Sequence, residues 1–282
     1  MTRRIAAVFF IGRLCLMKLH HKRIVLTGAA SGIGRALVAE LLKRQPAHLI
    51  VADRDSAGLA GVVEQHEGSV PITPVVADLA VRDGVDHIFE VALGEMGDID
   101  CFIANAGFAY YEEFNGDWDH LDAIFRVNVL SPLYALHRLR QLRQSSTEPY
   151  AFVVTASAMG RLAYPGYAVY GATKAALDRF AEGYRFEKPA HEQVTVVYPI
   201  STRTGFFERA QTSSRATPIA QPAQTAEYVA KRIAVGIERG AAQVIPSPLF
   251  IVSSLIHRII PILKIPQYLA LRQFRAWQKA LE

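Results

Sequence analysis

Tyr170 and Lys174 stand four residues apart in "YGATK" (170–174), a spacing that puts two side chains on one face of a helix. Two other tyrosines crowd the same stretch, but four residues after Tyr164 and Tyr167 come Ala168 and Gly171, so Tyr170 alone gains a lysine. A free phenol, with a pKa near about 10, carries protons poorly at neutral pH. A neighbouring ammonium favours the phenolate and brings that value toward the working range. Ser157 follows a β-rich run, where a hydroxyl can hold a substrate carbonyl near the tyrosine. Asn128, between Val127 and Val129 in a helical stretch, has poor propensity there and needs a buried partner. Singly, these features also read as an exposed helical pair, a turn serine and a structural hydrogen bond. Jointly they point to proton transfer at a carbonyl or alcohol oxygen.

A second constellation lies upstream. "RIVLTGAASGIGRALVAELLKR" reads as strand, glycine turn and helix, with Gly28, Gly32 and Gly34 in a G-x3-G-x-G spacing. Such a turn lets the backbone approach a pyrophosphate, whose charge the following helix N-terminus stabilises. Asp53 ends the next β-rich run 19 residues after Gly34, near the roughly 20 at which an acid meets the adenosine ribose. A carboxylate there accepts from the ribose hydroxyls and repels a 2′-phosphate, which favours NAD over NADP. Arg54, immediately after, is the competing feature, because it can pair with a 2′-phosphate.

The elements that must position these groups follow from periodicity. Strands are expected at 23–27, 48–53, 72–77, 100–105, 150–155, 193–198 and 242–246, and helices near 32–45, 56–67, 80–96, 117–145, 167–188 and 225–239. Several strands are apolar without alternation, as strands covered on both faces should be. Right-handed crossovers then give an α/β, doubly wound Rossmann fold with a seven-stranded parallel sheet. The chain divides into an N-terminal extension (1–21), a nucleotide-binding and catalytic domain (22–246) and an apolar, basic C-terminal tail (247–282). Residues 200–224, rich in Ser, Thr, Ala and Pro, read as a functional lid or a disordered connection.

With these residues in view, the chain resembles the short-chain dehydrogenases/reductases, in their shorter single-domain branch, from about residue 22 to 246. The resemblance rests on "TGAASGIG" (27–34), "ADL" (77–79), "NAG" (105–107), "VNV" (127–129), Ser157 and "YGATK", all in the family's order and spacing. It implies that Tyr170 is the general acid/base, that Lys174 binds the nicotinamide ribose and lowers the tyrosine's pKa, and that Ser157 stabilises the reacting oxygen. It implies that Asn128 holds a water linking Lys174 to solvent, that Asp78 contacts adenine, and that Asn105 steadies the central strand beside the cofactor. Ser31, Ile33, Ala106, Gly107 and Thr204 complete the implied cofactor site, and self-association through the fourth and fifth helices as a homodimer or homotetramer is implied as well. Two departures are Pro199-Ile200, where a glycine usually follows the proline, and Ala104, where another Asn is frequent.

Composition bounds the rest. The 282 residues are 51% apolar, enough for a substantial core in one domain. Cys15 and Cys101 lie far apart, which argues against a disulfide framework or a cysteine metal site and for a reducing, cytoplasmic setting. The net charge of +5 belongs to the two ends, leaving the centre net acidic, so no nucleic-acid footprint is expected. The apolar run Ile5 to Gly12 is interrupted by Arg13, and neither a cleaved signal nor a spanning helix is expected. Residues before Met17 read as an unpacked extension, or translation starts at Met17.

Phe108, Tyr110, Tyr111, Tyr164, Tyr167, Phe206 and Phe207 fall where the resemblance places substrate, which points to an apolar alcohol or ketone of lipid, steroid or aromatic type. In the tail, Ser253, Ser254, His257 and Arg258 share one helical face amid apolar residues, and a second basic, aromatic segment ends in Trp277. This pair either covers the active-site mouth or a subunit interface, or lies peripherally on a membrane. The rival functions are a sugar-nucleotide epimerase or dehydratase, disfavoured by the short length and glycine spacing, and a non-catalytic NAD sensor or scaffold, which has no need of all four catalytic-type residues.

Overall fold

The computed structural model describes residues 17–66, 68, 70–114, 116–210, 223–251 and 265–279. Its strands are β1 (Arg23–Thr27), β2 (His48–Asp53), β3 (Ile72–Val76), β4 (Cys101–Ala104), β5 (Tyr150–Thr155), β6 (Glu192–Val197), β7 (Thr202–Arg203), β8 (Gln224–Thr225) and β9 (Gln243–Val244). Seven form one parallel sheet in the order β3-β2-β1-β4-β5-β6-β9, and β7 pairs with β8 in a separate ribbon. The order reverses between β1 and β4, which opens a crevice at the carboxyl ends of those strands.

The helices are α1 (Gly32–Leu42), α2 (Ser56–Gln65), α3 (Arg82–Met96), α4 (Trp118–Phe125), α5 (Ser131–Arg143), α6 (Ala168–Tyr184), α7 (Phe206–Arg209), α8 (Ala226–Glu238) and α9 (Ile265–Gln278). They bury both sheet faces, which is why β4 and β5 are buried at every position with no in–out alternation. On one face Leu37 and Leu41 of α1 and Ile233 and Ile237 of α8 pack on Leu26, Val51, Ile103 and Val153. On the other, Phe89 of α3, Leu139 of α5 and Leu177 of α6 pack on Val25, Phe102, Phe152 and Val196, with Phe102 stacked 5.3 Å from Phe89. The expected doubly wound fold is therefore present.

Three local features differ from the sequence expectation. Met17 and Leu19, assigned above to the extension, are buried in the core, so the packed body reaches back to them. Phe250, beyond the expected domain end, is buried as well. The helix expected over 117–145 is interrupted by a π-helical segment, Arg126–Leu130. There the Ser131 N–H donates to the Arg126 carbonyl, five residues back, and Pro132 has no N–H to offer the Asn128 carbonyl four residues back. Cys15, the face formed by Ser253, Ser254, His257 and Arg258, and residues 211–222 of the 200–224 connection lie outside the described residues. Among the described residues, no helix is long and apolar enough to cross a membrane.

Candidate active site

The crevice is built first by backbone. Gly28 turns the chain after β1 at φ +69°, and a β-carbon there would stand 2.8 Å from the Ala106 Cα. At Gly34 a β-carbon would come within 1.8 Å of the Gly28 carbonyl oxygen, so the first turn of α1 closes on the loop only without a side chain. No acidic residue occupies that first turn, which leaves the amides and the positive end of the helix dipole for an anion. Asp53 ends β2 beside this loop. Its carboxylate accepts from the Ala30 N–H at 3.1 Å and the Asp55 N–H at 3.2 Å.

Asn105, after β4, ties three strand ends together. The Asn105 and Ala106 N–H groups donate to Thr27 Oγ1 at 3.1 and 3.2 Å, and the Asn105 side-chain amide donates to the Thr27 and Gly28 carbonyls at 3.3 Å. Its Oδ1 accepts from Thr155 Oγ1 at 3.1 Å. The Thr155 carbonyl in turn accepts from Lys174 Nζ at 2.8 Å, so the lysine is aimed from α6 at the end of β5.

Asn128 is 1% exposed, and both polar atoms of its side chain have protein partners. Oδ1 accepts from the Phe108 N–H at 3.0 Å, while Nδ2 donates to the Phe108 carbonyl at 2.9 Å and to Thr173 Oγ1 at 3.1 Å. Thr173 donates to the Tyr170 carbonyl at 2.7 Å, which couples the π segment to the helix bearing the tyrosine. Gly107 lies between the two: a β-carbon there would be 3.0 Å from Asn128 Oδ1 and 3.2 Å from Lys174 Nζ. Asn128→Ala strips the Phe108 N–H and carbonyl of these partners and takes one donor from the fully buried Thr173 hydroxyl, which keeps its bond to Tyr170, and is expected to cost about 2–4 kcal/mol of stability in urea or guanidinium melts. A loss under about 0.5 kcal/mol would show that these bonds do not hold the segment.

Tyr170 and Ser157 are both buried at the floor of a cavity of about 1230 Å³. Ser157 Oγ accepts from the Met159 N–H at 3.1 Å, which orients the hydroxyl. Burial pushes Tyr170 up to about 12, with hydrogen bonding to Ser157 pulling the other way, and burial brings Lys174 down to about 7. The lowering of the tyrosine by its lysine, expected from sequence, is thus absent in the chain by itself. Lys174 Nζ is 5.7 Å from the tyrosine ring centroid, is bonded to a backbone carbonyl, and has its own charge suppressed by desolvation.

The cavity wall gathers Gly28, Ser31, Gly32, Ile33, Asp53, Asp78, Asn105, Ala106, Gly107, Ser157, Tyr170, Lys174 and Thr204. Gly34 and Asn128 stand behind it as supports. Arg54 also lines it, next to Asp53. The seven aromatic residues separate into two sets. Phe108, Tyr110, Tyr164, Phe206 and Phe207 line the cavity, whereas Tyr111 and Tyr167 pack on each other at 4.9 Å, with Trp277 5.0 Å from Tyr111. Pro199-Ile200 keeps its backbone in place without a glycine: the Pro199 carbonyl accepts from the Ala158 N–H, and the Ile200 carbonyl from Thr202 Oγ1 at 2.8 Å. Sequence reasoning missed Thr27, Thr155 and Thr173. A threonine among valines at a strand end was the available signal for Thr155. Leu249, Phe250, Arg272, Gln273 and Ala276 also line the cavity, as the mouth-covering alternative for the tail implies, though nothing local marked which tail residues would do so.

A family model described as short chain dehydrogenase matches residues 22–215. A 3-ketodihydrosphingosine reductase of Dictyostelium discoideum is 30% identical over 248 residues, covering 79% of this chain and 74% of that protein. A short-chain dehydrogenase/reductase from Burkholderia phymatum, solved in complex with NAD, superposes with a TM-score of 0.76 at 21% identity, covering 86% of this chain and 94% of that one. A short-chain dehydrogenase from Sphingobium yanoikuyae, in complex with NADPH, gives 0.71 at 22% identity, with 85% and 95% covered. The likeness of the two solved structures is one of fold.

Proposed function

The chain belongs to the short-chain dehydrogenase family, and from that premise we propose an oxidoreductase that interconverts an apolar secondary alcohol and its ketone with a nicotinamide dinucleotide, preferring NAD to NADP. The observation that carries this reading is the convergence of Ser157, Tyr170 and Lys174 at the floor of the cavity whose wall also holds the glycine turn and Asp53. The residues fit such a cofactor: the Gly28–Gly34 turn leaves room for a pyrophosphate against α1, Asp53 can accept from ribose hydroxyls, and Asp78 is in reach of the adenine end. Bound there, the nicotinamide supplies the hydride donor or acceptor. Ile33, Ala106, Gly107 and Thr204, on the same cavity wall, would complete the cofactor site.

The chain's own part is the proton. Ser157 holds the substrate oxygen by its hydroxyl, already oriented by the Met159 N–H. Tyr170 gives its proton to the carbonyl oxygen in reduction and takes one from the alcohol in oxidation. Lys174 would hold the nicotinamide ribose and is the next proton carrier, since burial brings it to about 7, where it exchanges at neutral pH. Asn128 would hold the relay water through an oxygen: both amide hydrogens are committed to Phe108 and Thr173, which leaves the second lone pair of Oδ1 and the backbone carbonyl, which Pro132 cannot serve. The aromatic wall of Phe108, Tyr110, Tyr164, Phe206 and Phe207 favours an apolar substrate body. A homodimer or homotetramer paired through α5 and α6 completes the reading.

The test is a spectrophotometric screen of NAD and NADP against secondary alcohols and ketones, read at the reduced nicotinamide band. Turnover confined to apolar compounds supports the proposal. Tight cofactor binding with no turnover across a broad panel would move the weight to a cofactor-sensing role. Cofactor choice has its own check: Asp53→Asn keeps an acceptor for the Ala30 N–H but removes the charge that repels a 2′-phosphate. It is expected to shift the ratio of kcat/KM toward NADP by about tenfold or more. An unchanged ratio would assign the choice to Arg54 or elsewhere.

A further inference from the structure

One wall of the cavity is α9, part of the tail for which a place over the active-site mouth was one of the expected alternatives. Its described side chains split by helical face. Phe274, Trp277 and Gln278 anchor it: Phe274 and Trp277 pack edge-on to Tyr111 at 5.9 and 5.0 Å, and Gln278 Nε2 donates to Glu113 Oε2 at 3.1 Å. Arg272, Gln273 and Ala276, on the next face round, line the cavity. The anchor belongs to the aromatic cluster that contains Tyr110, Tyr164, Phe206 and Phe207, so α9 closes the substrate side and not the adenosine side.

Five charged side chains line the cavity among the described residues: Asp53, Arg54, Asp78, Lys174 and Arg272. The first three follow β2 and β3, where the nucleotide end is read, and Lys174 is buried at the floor with a backbone partner. Arg272 alone carries charge on the α9 wall, is exposed, and has no ion-pair partner among the described residues. An arginine over an apolar cavity offers a planar fork that matches a carboxylate or phosphate. We propose that Arg272 is a specificity-determining residue that pairs with an anionic end of the substrate. The preferred class is then an amphiphile, with an apolar body along the aromatic wall and a carboxylate or phosphate remote from the reacting carbon.

This inference rests on the oxidoreductase reading for the word substrate, but its test does not need turnover. The chain has two tryptophans, and Trp118 is exposed, so Trp118→Phe leaves Trp277, buried in the α9 contact, as the sole reporter. In that background, fluorescence titration with decanoate and with decan-1-ol compares the same alkyl body with and without a charge, and decyl phosphate separates phosphate from carboxylate. Decanoate or decyl phosphate is expected to bind about tenfold more tightly than the alcohol. Arg272→Gln should abolish the difference while leaving alcohol binding and NAD binding unchanged, and Arg272→Lys should retain part of it. Equal affinities for the charged and neutral probes, or a preference that survives Arg272→Gln, would overturn the proposal and leave Arg272 a solvated surface arginine. So would a parallel loss of NAD affinity in Arg272→Gln, which would assign the arginine to the cofactor's phosphates. Failure of the oxidoreductase reading shows instead as an intact anion preference with no turnover.

Discussion

Tyr170→Phe is expected to lower kcat by about 10²–10⁴ while NAD affinity and thermal stability stay near wild type. The substitution removes one hydroxyl from a ring that packs against Phe206 at 5.7 Å and Tyr167 at 6.1 Å, and a phenyl ring keeps those contacts. Ser157 keeps its Met159 N–H partner, so no buried acceptor is orphaned. What is lost is the proton carrier at the cavity floor. The pH profile adds a sign. Burial pushes the phenol up to about 12, so it is protonated and ready to donate at neutral pH, and must lose its proton to act as a base. Alcohol oxidation by the wild type should therefore speed up with rising pH, while ketone reduction should not. Measured kcat/KM in both directions checks this. A Tyr170→Phe enzyme within about threefold of wild type would remove the tyrosine from the reaction.

Lys174→Met is expected to abolish turnover and at the same time stabilise the cofactor-free protein at neutral pH by a few kcal/mol. Lys174 is 3% exposed, and burial lowers its pKa from 10.5 to about 7. Below pH 7 both folded and unfolded chains carry the proton, and the cost of burying the charge is present in full. Between about 7 and 10.5 the unfolded chain binds a proton that the folded chain does not, so stability rises with pH across that window. Above it the cost is gone. Methionine fills similar space without a charge. It forfeits the bond to the Thr155 carbonyl, worth about 1 kcal/mol, against a larger desolvation cost removed. The variant's advantage in denaturant melts should be largest at pH 6–7 and fade toward pH 10.5. Equal stabilities at both ends would mean that the folded protein solvates the ammonium well. A lysine that destabilises the resting fold is the expected price of a proton carrier kept near neutrality.

Much of the site was legible because it is encoded at short range. The four-residue spacing of Tyr170 and Lys174 is a helical repeat, and the glycine turn follows from positive φ and close backbone approach, which residues within a few positions dictate. The alternation of apolar runs with amphipathic stretches determined the doubly wound sheet, and with it the meeting of the β1, β4 and β5 ends. Even the need of Asn128 for a buried partner could be read from its neighbours.

The tertiary structure decided what depends on contacts between distant segments. Asn128 bonds to Phe108 and Thr173, 20 and 45 residues away, and the π segment that accommodates it is invisible to a periodicity that treats 117–145 as one helix. In the chain by itself burial raises the pKa of Tyr170 in place of the lowering expected from its lysine, because spacing reports proximity along a helix but says nothing of the water removed by packing from other elements. Neighbouring tyrosines parted for the same reason. Tyr110 faces the cavity and Tyr111 the core beneath α9, a helix more than 150 residues later in the chain. The sequence by itself thus determined which groups can do the chemistry, because that is a matter of residue type and local geometry. Which groups are dry, which are paired and what closes the substrate side were decided only by the fold, because burial belongs to the whole packed chain.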